Sequence, residues 1–72
     1  MSKRATQIKK ILHYLETHKR GITSFDAFTK FGITRLSGRI FDLREMGYPI
    51  NTEWEQKEED GVTIRYARYV LG

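Results

Sequence analysis

The chain contains no cysteine. Disulfides and thiolate metal sites are therefore excluded, and two histidines are too few for a structural zinc. A reducing cytoplasm is the expected setting. No apolar run approaches the roughly 20 residues needed to cross a bilayer, and the first residues lack the apolar core of a signal peptide. No membrane partner is expected. A glycine-rich phosphate loop, a nucleophile–base set and a metal-spaced carboxylate cluster outside one acidic run are also missing, so neither enzymatic activity nor a cofactor is expected. Proline occurs once, and 39% hydrophobic with 12% aromatic residues fits a folded chain. Its 72 residues make a single domain near the lower size limit for a self-sufficient core.

The net charge of +4 is unevenly spread. Residues 1–50 hold ten Lys or Arg against four Asp or Glu, and residues 51–72 hold three against five. A basic front and an acidic back imply a polyanionic partner on one face.

Hydrophobic periodicity gives the elements. Residues 1–5 read as a flexible basic arm. From Thr6 to Lys19, Ile8, Ile11, Leu12 and Leu15 follow the amphipathic helix template, and Gly21 stands ready as a cap. His13 and His18 are five residues apart, so they do not share a face as metal ligands would. Gly21-Ile22-Thr23 is long enough only to pair at a sheet edge. Thr23 and Asp26 make a capping box for a short second helix, with Phe25, Phe28 and Phe31 expected inward and Gly32 as its left-handed stop. A third helix, about 34–46, opens at Thr34 as N-cap, buries Leu36, Ile40 and Leu43, and stops at Gly47.

After Pro49, residues 50–55 alternate; Gln56 to Gly61 reads as a polar turn; Val62 to Leu71 alternates again and is rich in β-formers. The order helix, β-stub, helix, turn, helix, strand, strand is that of an α+β winged helix-turn-helix, with the hairpin as wing. Trp54, Ile64 and Tyr66 are expected to pack the wing on the helices, because an isolated hairpin is marginal in water. Phe41, off the main stripe, is expected beneath the wing; its alternative is an exposed anchor for a partner.

The third helix carries Arg35, Ser37, Gly38, Arg39 and Asp42 opposite its apolar stripe, a short polar and arginine mixture suited to a DNA major groove. Arg35 and Arg39 are candidate guanine readers or phosphate contacts; the alternatives are solubilising surface charge and, for Arg39, pairing with Asp42 or Glu16. Thr34 and Ser37 offer short hydroxyls. Gly38 costs about 1 kcal/mol inside a helix, which implies close approach to DNA or close packing on the second helix. Ser24 and Lys30 flank the second helix as possible phosphate clamps, and Arg65 and Arg68 reach from the last strand.

Gly21-Ile22-Thr23, Phe31 to Leu36 and above all the run RLSGRIFDLREMGYPI, residues 35–50, resemble a family of small winged helix-turn-helix proteins of bacteriophages and prophages. The resemblance runs from about Gly21 to Leu71. It implies double-stranded DNA binding with the third helix in the major groove; the expected role is that of a transcriptional regulator or a DNA-architectural accessory factor at the bacterial nucleoid. Its small size suggests binding as a dimer or in arrays at spaced half-sites. One departure stands out: residues 55–60 hold four acids and one lysine at the wing tip, which phosphates repel. The tip should point away from DNA or meet a protein, so the alternative function is a protein-interaction module that binds a host protein through its acidic wing.

Overall fold

A computed structural model describes residues 3–72. Its elements run α1 (Lys3–Thr17), β1 (Ile22–Thr23), α2 (Ser24–Phe31), α3 (Leu36–Glu45), β2 (Ile50–Glu59) and β3 (Val62–Leu71). This is the expected α+β arrangement of three helices and a C-terminal hairpin. The stub β1 pairs antiparallel with β3, making a three-stranded sheet in the order β1-β3-β2.

The core is made by the residues whose spacing pointed inward: Ile11 and Leu15 of α1, Leu36, Ile40 and Leu43 of α3, closed by Ile22, Ala27, Ile33 and Ile50. Ile8, Leu12, Tyr14 and Phe31 pack against it from the rim. α1 starts earlier than its periodicity suggested. Lys3, Arg4 and Ala5 are helical rather than an arm, because Arg4 reaches across to Asp42 on α3; residues 1 and 2 lie outside the described residues. It also ends earlier, at Thr17, where the Thr17 hydroxyl donates to the His13 carbonyl at 2.9 Å and the His18 ring stacks on Tyr14 at 3.8 Å.

The cap at Thr23 forms as expected: the Asp26 N–H donates to its hydroxyl and its own N–H donates to the Asp26 carboxylate. That fixes the rotation of α2, and the result reverses part of the expected face. Ala27 and Phe31, four residues apart, turn to the core, whereas Phe25 and Phe28 are 74% and 58% exposed. Ring size suggested the wrong stripe; in an eight-residue helix the cap decides the rotation.

α3 begins one residue later than expected. Thr34 lies in the connection, Arg35 occupies the N-cap position without a side-chain hydrogen bond, and Leu36 is the first helical residue. The far end follows the expected stop through a Schellman motif: Gly47, at φ +99°, donates to the Arg44 carbonyl and Tyr48 to the Leu43 carbonyl at 3.1 Å.

The wing is longer than expected. β2 continues through Glu59, so the polar stretch is strand, and only Asp60 and Gly61 turn the chain, both at positive φ. Asp-Gly is a preferred pair for such a type I′ hairpin turn. Ten-residue strands extend about 33 Å, against overall dimensions of 44 × 24 × 19 Å, so the outer half projects beyond the helices. Trp54 (65% exposed) and Ile64 (43%) therefore do not pack on the core; Ile50, Tyr69 and Leu71 at the base do, and Tyr66 is half-buried.

Candidate nucleic-acid interface

At 3.6 residues per turn, the rotation that buries Leu36, Ile40 and Leu43 sends Ser37, Gly38, Phe41 and Glu45 outward. Ser37, Phe41 and Glu45 are exposed. A Cβ added at Gly38 would meet nothing within 4 Å among the described residues. Packing against α2 therefore does not account for this glycine, and the surface above it is open. Thr34 and Arg35 are exposed at the head of the same helix, and among the described residues no ion pair engages Arg35. Phe41, 60% exposed, does not pack beneath the wing.

Two expected site residues turn the other way. Asp42 is buried, with its side chain 9% exposed. It accepts from the Arg4 Nε at 2.9 Å and pairs with a second Arg4 nitrogen and with Arg39 Nε at 3.0 Å. Arg39 is itself drawn in, its side chain 18% exposed. The Arg4–Asp42 pair locks α1 to α3, and neither Asp42 nor Arg39 is presented to a groove. The spacing of three residues that placed them on one face also lets them neutralise each other, and burial favours that outcome. Hydrogen bonding from Arg4, with the charges of Arg4 and Arg39, holds the Asp42 carboxyl below its ordinary range against the opposing effect of desolvation. A depressed folded-state pKa contributes stability that is present above the unfolded value of about 4 and lost as pH falls through the folded one. The melting temperature should therefore fall on acidification below about pH 4. Asp42→Asn should lower it already at pH 7 and shrink the further acid-dependent drop, as scanning calorimetry at both pH values would show; an unchanged acid response in the variant would remove Asp42 from this role.

Arg44 is the residue that sequence inspection missed. It donates from Nε and Nη2 to the Ile50 carbonyl at 3.0 and 2.8 Å and to the Thr52 hydroxyl at 2.9 Å, with its guanidinium 6.0 Å from the Tyr69 ring centre. It ties the end of α3 to the base of the wing. An arginine in the last turn of a helix just before a strand is a weak hint at most.

Ser24 is exposed at the first position of α2, and Lys30 is exposed in its last turn with its ammonium 6.0 Å from the Tyr14 ring centre. In the wing, directly opposite residues share a face. Trp54, Gln56 and Glu58 pair with Ala67, Arg65 and Thr63, while Glu55, Lys57 and Glu59 pair with Tyr66, Ile64 and Val62 on the other side. Arg65 lies 5.7 Å over the Trp54 ring. Arg68, 14% exposed, donates to Glu55 at 2.9 Å, which lowers the Glu55 pKa and occupies both groups. Lys57 pairs with Glu59 at 3.2 Å. The tip is thus less acidic in effect than its composition suggests.

Among the described residues, no group of three or more His, Cys, Asp or Glu is placed to hold a metal ion, and no helix is long and apolar enough to cross a membrane. A family model described as a winged helix-turn-helix domain matches residues 6–72. No curated protein and no solved structure matches the chain.

Proposed function

The chain belongs to the winged helix-turn-helix family, and from that premise we propose that it binds double-stranded DNA with α3 in the major groove, as a regulator or architectural accessory factor needing no cofactor. The observation that carries this reading is the outward side of α3. An exposed arginine at its N-cap is followed in its first turn by a hydroxyl and a glycine with open space above it, so that backbone and short side chains can approach base edges closely. Ser24, at the head of α2, and Lys30 supply phosphate contacts from the second helix.

Neutralising phosphates releases counterions, so binding must weaken steeply with salt. With three or four phosphates contacted, affinity for a random-sequence duplex should fall roughly a hundredfold between about 50 and about 200 mM salt. Arg35→Ala should weaken binding about tenfold without altering thermal stability, because the residue is exposed and outside the helix. Lys30→Ala should reduce the salt slope by about 0.9. Fluorescence anisotropy titrations measure all three; affinity indifferent to salt and to Arg35 would overturn the reading.

A further inference from the structure

We propose that Phe41 reads the C5-methyl group of thymine, giving the protein a preference for A·T pairs beneath the middle of α3; this rests on the DNA-binding reading above. Burying Leu36, Ile40 and Leu43 puts the Phe41 ring on the outward side, where it is 60% exposed. It stands one turn after Ser37, with the open surface of Gly38 beside it. The arginines that would otherwise dominate this helix are engaged elsewhere: Arg39 with Asp42, and Arg44 with the wing base. What α3 offers at its centre is therefore an apolar ring rather than a hydrogen-bond fork.

Among the edges that unmodified base pairs show in the major groove, the only apolar group is the C5-methyl of thymine. A large ring held against that floor gains from thymine and gains nothing from guanine or cytosine, whose exposed groups it would leave without partners. Specificity then comes from two sources on one helix: hydrogen bonding from Arg35 and Ser37 near the start, and methyl contact from Phe41 a turn later.

The test uses duplexes selected for binding from a random, unmodified pool, with each thymine replaced singly by deoxyuridine, which lacks only the methyl group. At one or two positions the replacement should weaken wild-type binding about fourfold, the factor for losing one buried methyl-sized group. Phe41→Ala should bind these duplexes with no dependence on that methyl and with a melting temperature close to that of the wild type, since the ring is mostly exposed. Phe41→Leu should keep part of the preference. The inference is overturned if no position responds to deoxyuridine, or if Phe41→Ala responds as strongly as wild type while both bind. If no duplex is bound even at low salt, the DNA-binding reading itself fails, and this one with it.

Discussion

Gly21→Ala is expected to prevent the domain from folding stably. The residue sits at φ +82°, where a non-glycine residue costs about 1–2 kcal/mol, but the larger effect is steric. An added Cβ would lie 2.1 Å from the carbonyl oxygen of Tyr69 and 2.9 Å from both its carbonyl carbon and a methyl of Val70. The obstacle is the backbone of β3, so no rotamer change relieves it. Separating β1 from β3 would break the pairing of Ile22 with Tyr69 and Thr23 with Arg68. Ile22 would be withdrawn from the core and the cap at Thr23 disturbed, so a single methyl group acts on the sheet, the core and α2 together. A domain of this size has roughly 4–11 kcal/mol of stability to lose. Far-UV circular dichroism during thermal unfolding would show no cooperative transition, or one shifted far down. Gly38→Ala is the control: it meets open space within a helix and should stabilise by about 1 kcal/mol. A Gly21→Ala melting temperature within a few degrees of wild type would refute the close approach of β1 to β3.

Leu43→Ala is expected to cost about 2–5 kcal/mol, a large share of the total. Leu43 is fully buried, and its carbonyl accepts from Tyr48 in the turn that leads into β2. Truncation leaves a cavity among α1, α3 and the start of the sheet, in a core too small to collapse around it. Ile40→Ala should behave alike, since Ile40 is 1% exposed. Chemical denaturation should show a lower midpoint with an unchanged slope. A midpoint within error of wild type would mean that the stripe of α3 is not the centre of the core.

Where the sequence was legible, one local rule acted without competition. The stripes of α1 and α3, the capping box at Thr23, and the stops at Gly32 and Gly47 follow from spacing and backbone stereochemistry. Where it misled, two rules competed. Phe25 and Phe28 look like core by size, but the cap rotates them outward. Arg39 and Asp42 look like a polar outer face, but they form an ion pair with each other at the α1 boundary, and Arg4 joins Asp42 from 38 residues away in sequence, where no local pattern could show it. The wing tip looks like a loop by composition, yet Asp-Gly needs only two residues, so the acidic stretch pairs as strand and places Trp54 and Ile64 beyond the core. For the interface, Thr34, Arg35, Ser37 and Gly38 keep exposed or open positions on or before α3, whereas Phe41 was obscured by the presumption that a phenylalanine is interior.

The measurement that bears most directly on the central claim is a backbone-amide NMR titration of the protein with duplex DNA. The largest shift changes should fall on Thr34, Arg35, Ser37, Gly38 and Phe41, with smaller ones at Ser24 and Lys30 and none at Glu58 to Asp60. Changes concentrated on the wing, from Glu55 through Ile64, with α3 unmoved would contradict the placement of α3 in the groove.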